Sequence, residues 1–315
     1  MNRIARNYLI ITSLLTVSVL PVACASGVQE FREVTAERIA RPAFMVERKF
    51  DTGTMQLQLW ERAHQPHASA NIYIEGDGEV IGFAGKQTND PTPKNPVALN
   101  LASRDLSENL FYIARPCQFR ESPDEKACPS KFWGARRFSP EVITAYNQVL
   151  DDIKKRYDIT EFNIIGYDGG ANIAAALASQ RKDIVTLRTV AGNLAPDVTN
   201  FEAKKSLPLD SDFVSAKALA QQLAGLGQHH FVGAGDTVTP PSVYHSYAQA
   251  LGASECVHYT LVPDADHTNG WVDKWPELLQ HTITCPVSSS ASILPDNYIP
   301  APLPEIPVEL KPERK

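Results

Sequence analysis

Six short apolar runs punctuate the chain: Ala70 to Ile74, Leu110 to Ala114, Glu161 to Ile165, Ile184 to Val190, His229 to Gly233 and Val257 to Val262. The stretches between them carry helical periodicity. It is clearest over Pro140 to Tyr157, where Ser139 stands at the N-cap, Pro140 at the first helical position, and Val142, Ile143, Tyr146, Val149, Leu150 and Ile153 recur on one face. Gly170 to Gln180, Ser215 to Leu226, Pro241 to Leu251 and Trp271 to His281 read the same way. Strands alternating with helices of this length require crossover connections, which predicts a mostly parallel sheet covered by helices on both faces. Ahead of these units, Ala43 to Arg62 alternates and breaks at Asp51-Thr52-Gly53-Thr54, as two antiparallel strands and a tight turn would.

The ends of the chain have a different character. Arg3 and Arg6 precede an apolar stretch from Tyr8 to Val19 that closes on Leu20-Pro21-Val22-Ala23-Cys24-Ala25-Ser26, the layout of an export signal. Two cuts are compatible with it. Ala23-Cys24-Ala25 satisfies the small-x-small rule, and Val22-Ala23-Cys24 is a bacterial lipobox with Pro21 where leucine is usual, making Cys24 the acylated first residue. A transmembrane anchor would need about 18 to 20 apolar residues, more than this run offers. After Cys285 the chain turns to serine and proline, which cannot build a core. The reading is therefore a signal peptide over 1–23, a linker over 24–42, one α/β domain over 43–285 and a disordered Pro-rich tail over 286–315.

Five cysteines leave four for pairing once Cys24 is set aside. In an oxidising compartment, Cys117 with Cys128 and Cys256 with Cys285 close the two local loops. A net charge of -6 leaves no basic excess for phosphate, so nucleic acid is not an expected partner. The expected partners are a membrane, through a lipid at Cys24, and a small-molecule substrate that the sequence does not name. No metal site and no cofactor is read from it.

In an open parallel sheet, chemistry gathers where strands end. Gly166-Tyr167-Asp168-Gly169-Gly170 follows an apolar strand and opens a helix of small residues, which is the context of the Gly-x-Ser-x-Gly nucleophile elbow, with Asp168 in the serine's place. Asp236 follows the run ending at Gly233, and His267 follows the run ending at Val262. Nucleophile, acid, histidine is the chain order of the α/β-hydrolase fold. Asp264 and Asp266 compete with Asp236 for the acid role. The amide of Gly169 is one expected oxyanion donor, and the amide of Asp77 or Gly78, in the turn Glu75-Gly76-Asp77-Gly78, is the other.

Several longer strings point the same way: Ile72-Tyr73-Ile74-Glu75-Gly76-Asp77-Gly78, Asp90-Pro91-Thr92-Pro93, Ala114-Arg115-Pro116-Cys117-Gln118, Arg137-Phe138-Ser139, Val190-Ala191-Gly192-Asn193 and Trp275-Pro276. Over roughly residues 70 to 285 the chain resembles a family of bacterial envelope α/β-hydrolases. The resemblance implies a lipoprotein facing the periplasm, at the outer membrane in preference to the inner. That family's elbow reads Gly-Tyr-Ser-Gly-Gly, so the likeness extends to Gly166, Tyr167, Gly169 and Gly170 and stops at Asp168.

The substitution decides the chemistry. A carboxylate attacking an acyl carbon forms an anhydride that reverts faster than it expels an alkoxide or amide, so ester and amide hydrolysis through Asp168 are not expected. Attack on a saturated carbon, displacing halide or opening an epoxide, gives a stable ester that a His267-activated water can cleave. Known aspartate users of this fold usually place Trp after the nucleophile, where this chain has Gly169. The alternative is a catalytically degenerate protein that retains the fold for binding, since two carboxylates beside His267 favour the imidazolium and remove the base.

Overall fold

The structure is a computed structural model and describes residues 31–82, 85–120, 128–199 and 207–286. Eight strands form one sheet: β1 (Val46–Asp51), β2 (Gln56–Ala63), β3 (Ala70–Ile74), β4 (Asn109–Ile113), β5 (Phe162–Tyr167), β6 (Ile184–Val190), β7 (Gly227–Gly233) and β8 (Val257–Val262). Their order is β1-β2-β4-β3-β5-β6-β7-β8. β1 pairs antiparallel with β2 and β2 antiparallel with β4; every later pairing is parallel. The expected hairpin and parallel units are both present. The exchange of β3 and β4 in the order is a tertiary feature that periodicity does not encode.

Side chains alternate across the strands, so each strand feeds two cores. Ile72, Ile74, Ile164 and Leu187 point to one face, packed with α3 (Pro140–Tyr157), α4 (Gly169–Gln180) and α6 (Pro241–Leu251). Tyr73, Tyr112, Ile165, Val190 and Phe231 point to the other, under Trp271, Trp275 and α2 (Val97–Ser103). α2 was not anticipated: a seven-residue helix directly behind a proline-rich run, it is held by burial of its apolar residues and not by capping.

The segment expected to be a linker departs from that reading. Residues 31–40 form a helix, α1, whose Ala36 and Ala40 are buried in the second core. Arg32 reaches from it to Asp90 (3.1 Å) and to the Thr92 carbonyl (2.7 Å). Ser215 to Leu226 is not one helix but a short α5 (Ala216–Leu219) running into a tighter 3-10 turn over Ala220–Leu223. Only α7 (Trp275–Leu278) is helical within Trp271 to His281. Ser139 stands at the N-cap of α3, yet its hydroxyl makes no capping bond; its carbonyl takes the Val142 and Ile143 amides instead.

Cys117 is joined to Cys128 and Cys256 to Cys285. No helix among the described residues is long and apolar enough to cross a membrane. The expected signal peptide, Cys24 and the tail beyond residue 286 lie outside the described residues.

Candidate active site

β5 ends at Tyr167 and α4 begins at Gly169, so a single residue makes the turn between them. That residue, Asp168, is held at φ 46° and ψ -122°, a conformation that costs a non-glycine residue on the order of 1–3 kcal/mol. The turn is tight because α4 lies close on β3: a Cβ on Gly170 would run into the backbone of Ile74 and Glu75. The strain and the packing together push the Asp168 carboxylate out at the carboxyl end of the sheet.

Asp236 and His267 arrive there from the loops after β7 and β8. The Asp236 side chain is fully enclosed, 0% exposed. Its Oδ1 accepts the Val238 and Thr239 amides at 2.8 Å each, and its Oδ2 accepts the Thr239 hydroxyl at 2.7 Å and His267 Nδ1 at 3.0 Å. A carboxylate with that many donors is fixed in place and fixes the imidazole in turn. The His267 carbonyl is tied down by Tyr167 Oη (3.0 Å) and Trp271 Nε1 (3.2 Å). Nε2 of His267 is thereby left facing Asp168 Oδ1 at 3.7 Å. The competing acids are engaged elsewhere: Asp266 caps Thr268 and Asn269, and Asp264 pairs with Lys274.

The other carboxylate oxygen has a different environment. Asp168 Oδ2 accepts the Asp77 amide at 3.0 Å, and the neighbouring Gly169 amide favours the charged form of the same carboxyl. Of the two candidates in the turn after β3, the structure turns Asp77 toward the site. The Gly78 amide is not on Asp168; Gly78, at φ 73°, instead makes the close turn against the Pro91 carbonyl.

Two arginines absent from the expected site stand beside it. Arg115 Nη1 bonds Asp77 Oδ1 at 2.5 Å and Arg137 Nε bonds Asp77 Oδ2 at 3.1 Å, with only 3% and 2% of the arginine side chains exposed. Both lie inside strings singled out in the sequence, but no local pattern gave them a role. An arginine just past a buried strand, as Arg115 is two residues beyond the end of β4, is the sequence signal for such a role.

The charges act on one another. Burial drives the Asp168 carboxyl above the usual aspartate range and the nearby Asp77 adds to this, against the opposing pull of His267 and the two amides. Burial alone would lower the His267 imidazolium, but the bond to Asp236 and the charges of Asp168 and Asp236 outweigh it and raise the group above its ordinary value. Glu75, enclosed beneath the turn, is pushed up to about 7 by desolvation, even though the Gly76 amide and the Tyr112 hydroxyl support its charged form. Among the described residues no cluster of histidine, cysteine and acidic side chains is arranged to hold a metal.

No protein-family model and no curated protein sequence matches the chain. Solved structures do. The esterase Pf2001 of Pyrococcus furiosus superposes with a TM-score of 0.53 at 12% identity, covering 76% of this chain and 90% of that one. Est1E of Butyrivibrio proteoclasticus gives 0.51 at 10% identity, covering 74% and 95%. An α/β hydrolase of unknown function from Agrobacterium tumefaciens gives 0.50 at 17% identity, covering 74% and 93%. At these identities the likeness is one of architecture. The mixed eight-stranded sheet, the strand-to-helix elbow at residue 168 and these neighbours establish that the chain has the α/β-hydrolase fold.

Proposed function

We propose that this protein is a hydrolase of the bacterial envelope that works through Asp168, forming an ester between its carboxylate and a saturated carbon of the substrate. The observation that carries the reading is the division of labour between the two Asp168 oxygens. Oδ2 lies against the Asp77 amide while Oδ1 faces His267. In the first step Oδ1 bonds to carbon and the bond to the electronegative atom breaks with its electron pair: a halide departs as the anion, whereas an epoxide oxygen stays on the substrate as an alkoxide that takes a proton from water. In the second, a water that loses its proton to His267 adds to the Asp168 carboxyl carbon. Negative charge then forms on Oδ2, where the Asp77 amide already points. Collapse breaks the bond from the carboxyl carbon to Oδ1, and that oxygen takes the proton back from His267 as the alcohol leaves.

The upward shift of His267 fits this sequence. Its raised basicity draws partly on the charge of Asp168, and esterification removes that charge. With that charge gone the neutral imidazole is favoured, so the base is present when one is needed.

One feature favours a second reading. An imidazole held between Asp168 and Asp236, both of which favour its protonated form, is also what a binding protein without a general base would contain. The two are separated by incubating the His267→Gln variant with aliphatic epoxides and haloalkanes, and by running the wild type in heavy-oxygen water. Hydrolysis predicts an alkyl adduct on the Asp168 peptide in the variant and heavy oxygen in the same peptide of the wild type. Consumption of substrate without label in Asp168 would rule out the ester, and complete inertness of both proteins would leave the binding reading.

A further inference from the structure

We propose that Gln118, Arg115 and Arg137 are positioning residues whose function is to aim the Asp77 amide at Asp168. This rests on the reading above that the amide faces the reacting atoms, and it adds three side chains to the machinery.

The peptide unit linking Gly76 to Asp77 lies beyond the last ladder bond of β3, the Glu75 amide to the Ile113 carbonyl at 3.1 Å. The sheet therefore does not set its direction. A trans peptide is planar, with its C=O and N–H on opposite sides, so fixing the oxygen fixes the hydrogen. Gln118 Nε2 donates to the Gly76 oxygen at 3.0 Å, and the N–H on the far side of that plane is the one that meets Asp168 Oδ2. The glutamine is oriented in turn, because its Oε1 accepts the Arg115 amide at 3.0 Å. Its own segment is tied by the adjacent Cys117–Cys128 bridge.

The Asp77 side chain supplies the second constraint. Each of its oxygens is held by a different arginine, which prevents the residue from rotating about its backbone. The arginines are anchored independently of it. Arg115 Nη2 donates to the Arg137 carbonyl at 2.7 Å, and Arg137 Nη1 to the Gly134 and Pro208 carbonyls at 3.0 and 3.3 Å. Both guanidinium groups sit over the Phe138 ring, at 5.1 and 5.2 Å from its centre. Two buried guanidiniums take both oxygens of one carboxylate. A rigid pair that grips both oxygens meets the demand for a fixed direction.

The test reads the amide itself, without substrate, so it stands apart from whether Asp168 forms an ester. In the full-length wild type, the Asp77 amide proton should shift as Asp168 titrates and exchange slowly with solvent. In Gln118→Leu and in Arg137→Lys it should exchange about tenfold faster or more and stop following that titration, the loss expected for one hydrogen bond to a charged acceptor. Arg181→Lys, far from the site, should leave both readouts unchanged. A wild-type amide indifferent to Asp168 overturns the proposal, whatever the variants do. So does an amide that stays protected and coupled in either variant while circular dichroism shows the fold intact.

Discussion

Asp168 Oδ2 accepts the backbone N–H of Asp77 at 3.0 Å, so the carboxylate of the elbow residue occupies the place where a serine hydrolase of this fold collects the charge of its intermediate. A serine at this position would leave the amide open to substrate. The aspartate fills it and leaves Oδ1 toward His267, which is why the same scaffold points to a different electrophile.

That relationship makes Asp168→Ser informative. Wild-type protein should be inert to fluorophosphonate probes and short-chain aryl esters, since it presents no activated hydroxyl. The serine variant should gain both reactions, because Asp236, His267 and the Asp77 amide are already arranged. Active-site labelling followed by peptide mass spectrometry checks this, and aryl-ester turnover that persists in Asp168→Ala would point to another nucleophile.

Asp168→Asn should lower the pKa of His267, since it deletes one of the charges that raise it. The effect reaches stability with a definite sign. A raised imidazolium contributes stability that is fully present below about 6.5 and disappears as pH rises through the folded-state value. Chemical denaturation across that interval should therefore show a weaker decline with pH in the variant than in the wild type. Histidine NMR titration gives the pKa directly, and an unchanged or higher value would contradict the ion pair.

Gly169→Ala should destabilise the fold by about 1–3 kcal/mol, as overpacking of a closed site does. The added methyl would meet the Asp77 carboxylate and Arg115 Nη1, neither of which is free to move. Denaturant midpoints at constant slope measure the loss.

Opening the Cys256–Cys285 bridge with a double serine substitution should cost about 3 to 4 kcal/mol, the loop-closure entropy for 29 residues. The bridge ties the end of the domain to β8, so thermal unfolding should shift while the His267 titration does not.

The mature chain should begin at Cys24 and carry acyl groups, each buried methylene adding about 0.8 kcal/mol of membrane affinity. Intact mass of protein purified from a bacterial envelope decides it. A chain starting at Ser26 without added lipid would show ordinary signal cleavage.

Local sequence determined those parts of the protein that depend on near neighbours. Pro140–Tyr157 is helical where a 3.6-residue period says so, and Ala70–Ile74, Ile184–Val190 and Val257–Val262 are strands with the bounds their apolar runs suggest. Asp168, Asp236 and His267 were legible because each follows a strand, and strand ends in a parallel sheet meet. What local pattern could not reach were relationships set by packing alone. The helix over residues 31–40 shows itself only when Ala36 and Ala40 find a core to enter. The exchange of β3 and β4 depends on which edges pair across 30 or more residues. The choice of Asp77 over Gly78, and the convergence of Arg115, Gln118 and Arg137 on that one turn, come from a peptide plane and a buried charge that need their partners in three dimensions. A chain carries its periodicities in order along itself, whereas an ionic clamp exists only after distant segments have excluded water between them.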